Sequence, residues 1–120
     1  MASRLPQLAV VGVAGDGSVA SWAIPPLSQA QTLAGPPSLL QHFADHPARQ
    51  IRLTGSVESW IPLLQKELAQ GSLVLLASGD PLFFGIGRLL TQYFPAEQLA
   101  FYPQVSSVQL ALNRLQIPWQ

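Results

Sequence analysis

The chain has 120 residues with six Lys and Arg against six Asp and Glu, so its net charge is zero, and only 10% of it is charged where soluble domains carry ~25%. With no scattered excess of basic residues there is no electrostatic footprint for nucleic acid, and with no cysteine there is no disulfide framework, thiolate nucleophile or Cys-ligated metal. The longest apolar stretches, such as Leu73–Ala77, fall far short of the ~20 residues that span a bilayer, and Met1–Pro6 lacks the regions of a signal peptide, so a soluble cytoplasmic protein without a membrane partner is expected.

Leu8–Val13 is a short apolar run that ends in glycine-rich sequence, the pattern of a strand buried on both faces. Gly15-Asp16-Gly17 comes next as a loop, and Pro25-Pro26 opens a short helix through Gln29. Ala30–Ala34 is a second strand candidate, stopped by Gly35-Pro36-Pro37. Ser38 is expected to cap a helix through Leu39, Leu40 and Phe43 that ends before Pro47. Gln50–Leu53 is the third strand candidate. In Ser56–Gln70, residues Val57, Trp60, Ile61, Leu64 and Leu68 share one helical face, with Gly71 as a left-handed cap and Pro62 predicting a bend or a late start near Ser59.

Ser72–Ala77 is the strongest strand candidate. Asp80 and Pro81 then read as N-cap and first residue of a helix whose inner face is Leu82, Ile86, Leu89, Leu90 and Tyr93, stopped by Pro95. Leu99–Tyr102 is the fifth strand candidate. Ser106 and Ser107 cap a last helix, with Val108, Ala111, Leu112 and Leu115 facing inward. Strands alternating with helices predict an α/β fold: an open, mainly parallel five-stranded sheet with helices on both faces. Ligands of such sheets bind beyond the carboxyl ends of the strands, so the loops at 12–18, 78–85 and 103–107 should line one rim.

The chemistry is sparse. Gly12-Val13-Ala14-Gly15-Asp16-Gly17 is not G-x-G-x-x-G, which argues against a dinucleotide site. His42 and His46 stand four apart but have no third ligand, so surface histidines are expected and no metal. Ser78 is not in a G-x-S-x-G elbow, which argues against a triad hydrolase. Trp60 and Trp119 read as core or interface residues. Gly85 and Gly87 in the first turns of a helix each cost about 1 kcal/mol relative to Ala, which suggests close approach of a ligand or another backbone. The residues point to no catalytic base. Asp16 is a proton-acceptor candidate by loop position alone, against the plainer reading of a solvated turn carboxylate.

The segment Leu75-Leu76-Ala77-Ser78-Gly79-Asp80-Pro81-Leu82-Phe83-Phe84-Gly85-Ile86-Gly87 closely resembles the S-G-D-P-L-F-Y-G-I-G segment of the precorrin-6Y C5,15-methyltransferases, tetrapyrrole methylases of cobalamin biosynthesis. Pro103-Gln104-Val105-Ser106-Ser107-Val108-Gln109-Leu110-Ala111 and Arg114-Leu115-Gln116-Ile117-Pro118-Trp119 resemble two further segments of that family in the right order, and Val10–Gly17 resembles its first strand and loop. The resemblance implies methyl transfer from S-adenosylmethionine to C5 of a precorrin or cobalt-precorrin ring. It also implies a cofactor held in a cleft between two α/β domains. Carried over by position, it makes Gly15, Ser78, Gly79, Asp80, Phe84, Ser106 and Ser107 cofactor-binding residues. It covers residues 1–120 as the amino-terminal domain alone, so a second domain that closes the cleft is expected to be missing from this chain. That missing partner would account for the low charge, and a homodimer fits the family's habit. Ala14 stands where the family often has Gly, and Gly35-Pro36-Pro37 replaces a glycine-and-basic turn. The competing expectation is a non-enzymatic α/β binding module for a nucleotide-like ligand or a partner protein.

Overall fold

The computed structural model describes residues 7–78 and 82–104, residues 82–84 by backbone alone. Strands β1 (Leu8–Val13), β2 (Thr32–Gly35), β3 (Arg49–Arg52), β4 (Leu73–Ser78) and β5 (Leu99–Tyr102) form one sheet in the order β3-β2-β4-β1-β5. Every neighbouring pair is parallel, as the alternation of apolar runs and helical patterns predicts. Helices α1 (Ile24–Ser28), α2 (Pro37–Leu40), α3 (Val57–Leu68) and α4 (Leu82–Thr91) make the crossovers.

The pleat sends alternate side chains of each strand to opposite faces. Leu8, Val10, Leu73 and Leu75 join Trp60, Leu64 and Leu68 of α3 and Ile86 and Leu90 of α4 in one core. Ala9, Val11, Val13, Val74 and Leu76 join Leu27 of α1 and Leu39 and Leu40 of α2 in a second core on the other face. All six residues of β1 are buried, which is why that stretch of sequence shows no polar alternation. The chain steps from β1 to β2 to β3 toward one edge over α1 and α2, then returns through β4 to β5 over α3 and α4. A single handedness of crossover requires the two directions to use opposite faces.

Several local expectations need correction. Gly35 does not stop β2 but ends inside it, paired with Arg52, because β2 and β4 pack so closely there that an added Cβ would stand 3.0 Å from Leu76 Cβ. Pro36, not Ser38, is the N-cap of α2, and the helix gives way to a 3-10 turn at Gln41–Phe43 after four residues. Helix α3 begins at Val57, ahead of the late start near Ser59, and continues past Pro62. Pro62 cannot bond the Glu58 carbonyl, but both residues are exposed, so water can serve that oxygen. Ser56 caps α3 by accepting from Ser59 N–H at 3.3 Å. Gly71 has φ 155°, not the left-handed helical value, and α3 closes instead through Gln70 N–H to Glu67 and Gly71 N–H to Leu68. Helix α4 ends at Thr91, so the helical period no longer governs Tyr93; Tyr93 is 47% exposed and Phe94 enters the core in its place. The Asp80–Pro81 helix start, the last helix expected from Ser106 and Ser107, and Trp119 lie outside the described residues.

Candidate functional site

Strand order reverses between β1 and β4. They are neighbours in register, with Val13 beside Ser78 at their carboxyl ends. From Val13 the chain leaves toward α1 on one face, and from Ser78 it leaves toward α4 on the other. The two exits part at this switch point, the position at which ligands of such sheets bind. Strand β5 lies on the other side of β1, so its exit reaches the same rim. Two of the three loops predicted to gather there are thus together, and the third begins there at Ser78.

The loop after β1 is a closed turn. Ala14 N–H donates to Ser18 O at 2.9 Å and Gly17 N–H to Ala14 O at 2.8 Å. Ser18 N–H donates to Asp16 Oδ1 at 2.9 Å, and this bond holds the Asp16 carboxyl below its ordinary value of 3.8. Asp16 is exposed, which matches a solvated turn carboxylate. Gly17 takes φ 89°, and its Cα faces the ring of His42, where a Cβ would stand 2.7 Å from Cγ and Nδ1. Gly15 is exposed, and no described atom lies within 4 Å of where its Cβ would be.

The β5 exit is tied to this loop. Gln104 Nε2 donates to Ser18 O and Ser18 Oγ, both at 3.2 Å, and Trp22 Nε1 donates to Pro103 O at 2.9 Å. Beneath these bonds a Cβ on Gly12 would meet the backbone nitrogen of Gln104 at 2.7 Å. Gly12 opens the glycine-rich stretch Gly12–Gly17, and its task in the fold is to let two main chains touch. Gln104 falls in the 103–107 loop expected on the rim, but no local pattern marks Trp22 and His42 as parts of it, because each acts through a partner remote in the chain.

The structure therefore brings Gly15 and Ser78 to one rim, with the backbone of Phe84 in the first turn of α4 beyond Ser78. Gly79, Asp80, Ser106 and Ser107 lie outside the described residues. Of the two helix glycines, Gly87 faces Phe101 of β5, where an added Cβ would stand 3.4 Å from the ring, whereas a Cβ on Gly85 would have no described atom within 4 Å. The histidines serve separate tasks. His42 packs on Gly17, while His46 Nε2 lies 2.7 Å from Leu27 O and its Nδ1 accepts from Ala48 N–H. Trp60 is buried and donates to Thr54 O at 3.0 Å, the core role expected of it. No helix among the described residues is long and apolar enough to cross a membrane.

Comparison with known proteins gives the rim a context. The model of the tetrapyrrole (corrin/porphyrin) methylases matches residues 4–120. The chain is 36% identical over 107 residues to proteins of Salmonella typhimurium and Salmonella typhi named cobalt-precorrin-7 C(5)-methyltransferase, a match that takes 85% of this chain and 51% of each relative. It is 30% identical over 118 residues to the precorrin-6Y C(5,15)-methyltransferase (decarboxylating) of a Sinorhizobium species, over 92% of this chain and 27% of that one. The crystal structure of a cobalamin-biosynthesis precorrin-6Y methylase from Archaeoglobus fulgidus shares the fold, with a TM-score of 0.66 at 24% identity over 97% of this chain and 60% of the other. The chain spans about half the length of its Salmonella relatives.

Proposed function

The chain belongs to the tetrapyrrole (corrin/porphyrin) methylase family, and on that premise we propose that it is the amino-terminal part of an S-adenosylmethionine-dependent methyltransferase acting at C5 of a precorrin-type ring. The observation that carries this reading is the switch point at Val13 and Ser78, where the strand order reverses and the carboxyl ends of β1, β4 and β5 share one rim. The names of the Salmonella and Sinorhizobium relatives supply the reaction class.

The described rim fits such a cofactor. The open space over Gly15 lets a ligand approach its backbone, and the pinned β1 turn stands ready before anything binds. In our reading Gly15, Ser78, Gly79, Asp80, Phe84, Ser106 and Ser107 hold the cofactor, the first three mainly by backbone and Asp80 by its carboxylate. Bound there, S-adenosylmethionine supplies an electrophilic methyl group. What the chain itself contributes is position, which can lower a barrier by about 7–11 kcal/mol when the reacting atoms are held in line. The bonds from Gln104 to Ser18 and from Trp22 to Pro103 serve that end by fixing the β5 exit against the β1 loop. A second domain, in this reading, closes over this rim.

Calorimetry with S-adenosylhomocysteine tests the proposal, on residues 1–120 and on the chain extended to the length of its relatives. Micromolar binding by the extended chain, lost in Asp80→Ala, is the expected result. Absence of binding by both would remove the cofactor assignment and favour a binding module with another ligand.

A further inference from the structure

The carboxyl ends of the strands carry two side chains outside the set assigned to the cofactor, one toward each edge of the sheet. Arg52 closes β3, the edge strand, in register with Gly35 of β2. It is exposed, and no hydrogen bond or ion pair holds it among the described residues. Ile51 packs against the core under α3 and α4, whereas Gln50 Nε2 donates to Phe43 O at 2.7 Å on the α2 side. Arg52 stands two residues after Gln50 and so emerges on the α2 face. The other described Lys and Arg sit toward the amino ends of the strands. Arg49 begins β3 and is tied to Glu67, while Lys66 and Arg88 are in the last turns of α3 and α4. Among the described residues, Arg52 is therefore the arginine or lysine set at the carboxyl ends.

Trp22 lies toward the other edge, just before α1 on the face that α1 and α2 share. Its Nε1 donates to Pro103 O at 2.9 Å, one residue past β5. That bond fixes the edge of the indole, while the side chain stays 47% exposed. Ile24, at the start of α1, is 55% exposed. One end of the rim thus offers an aromatic face held in place, and the other an unpaired guanidinium. Four strand spacings separate β5 from β3, about 19 Å. We propose that Trp22 and Arg52 orient the substrate on the rim, Trp22 taking the flat apolar face of the tetrapyrrole and Arg52 pairing with one of its carboxylate arms. A precorrin-type ring joins an apolar macrocycle to acetate and propionate arms at its edge, so a single molecule presents both partners. Indole is suited to stacking on the ring, and the planar guanidinium fork matches a carboxylate in two parallel bonds. The two contacts are not interchangeable, so together they fix which edge of the ring lies toward β3. That choice decides which ring carbon comes to the methyl group. The identity of the ring rests on the methyl-transfer reading above; the polarity of the rim does not.

Uroporphyrin, a flat tetrapyrrole with acetate and propionate arms, is the probe, titrated into the chain extended to the length of its relatives. Arg52→Gln should weaken its binding by about tenfold, the worth of one hydrogen-bonded charge pair. In about 1 M salt, where the Debye length is about 3 Å, the gap between Arg52→Gln and the parent should narrow. Lys66→Gln, at the opposite end of the strands, should bind as the parent does. Trp22→Ala should also lose about tenfold, as a lost stacking contact does, with Trp22→Phe close to the parent because it keeps a ring and gives up only the bond to Pro103. If Trp22 served only to strap the β5 exit, Trp22→Phe would lose as much as Trp22→Ala. S-adenosylhomocysteine binding by Arg52→Gln should match the parent. A protein that binds S-adenosylhomocysteine but not uroporphyrin overturns the proposal and leaves the cofactor reading standing, as does one whose Arg52→Gln variant binds uroporphyrin unchanged. Uroporphyrin held through Arg52 and Trp22 by a protein that binds no S-adenosylhomocysteine would uphold the surface and reject the cofactor reading.

Discussion

A Cβ on residue 12 would stand 2.7 Å from the backbone nitrogen of Gln104, so Gly12 is where β1 and the exit of β5 touch main chain to main chain. Neither backbone has a flexible end that can move aside. Gly12→Ala should therefore cost about 1–3 kcal/mol through overpacking, read as a lower Tm. It should also release Gln104 from Ser18, visible as a shift of the Ser18 amide resonance. An unchanged Tm would mean that the β5 exit is not held against β1.

Gly17 is required for two separable reasons, its φ of 89° and the His42 ring under it. Gly17→Ala alone meets both. Adding His42→Gly, which also takes away the His42 Cβ that would stand 2.9 Å from the new one, removes the collision but leaves the conformational strain, about 1–2 kcal/mol for a residue with a Cβ. The double variant should thus recover part of the stability lost in the single one, and urea midpoints of the four proteins measure the coupling. Full recovery would show that φ at position 17 relaxes freely, and no recovery would show that His42 yields without cost.

Much of this architecture is legible in the residues. β1 and β4 are legible because strands buried on both faces have no polar positions to hide them, and α3 because five apolar residues repeat at helical spacing. What fails does so where a distant partner decides. Nothing local says that Gly35 lies against Leu76, or that α4 stops at Thr91 and hands the inner position from Tyr93 to Phe94. The rim divides in the same way. That Gly15 and Ser78 lie at the carboxyl ends of strands can be read from the alternation of elements, but that those two strands are neighbours cannot. The clamp on the β1 loop by Gln104 and His42 joins residues 86 and 25 positions apart in the chain, and leaves no local pattern.

At the far edge, Arg49 of β3 donates to Glu67 of α3 at 2.6 Å, and Glu67 is the buried charged side chain among the described residues. Its hydrogen bond to Glu67 raises Arg49 above the ordinary arginine value. A raised value means a contribution fully present below the unfolded arginine value and lost only as pH rises through the folded one, so the Arg49 side of the tie is constant through neutral pH. Arg49→Met should destabilise the protein by leaving the Glu67 carboxylate buried without its partner. Arg49→Met with Glu67→Leu should recover much of that loss, because an apolar pair has nothing to desolvate. Urea midpoints that place the double variant below Arg49→Met would show the ion pair to be stabilising in its own right.

Asp16 gives the β1 loop a dependence on acid. Ser18 N–H bonds the charged carboxylate and lowers the Asp16 value below 3.8, so the folded loop favours the ionised form. For a carboxyl group lowered on folding, the contribution is present above the unfolded value and fades as pH falls through the folded one. The loop should therefore stay closed through mild acid and loosen only below pH 3.8. In a pH titration by NMR, the Ser18 amide should report a midpoint below 3.8, and Asp16→Asn should abolish that step while leaving the fold intact. A midpoint at or above 3.8 would mean that the Ser18 bond does not persist in solution, and that the rim loses one of the ties holding the β1 turn in shape before a ligand arrives.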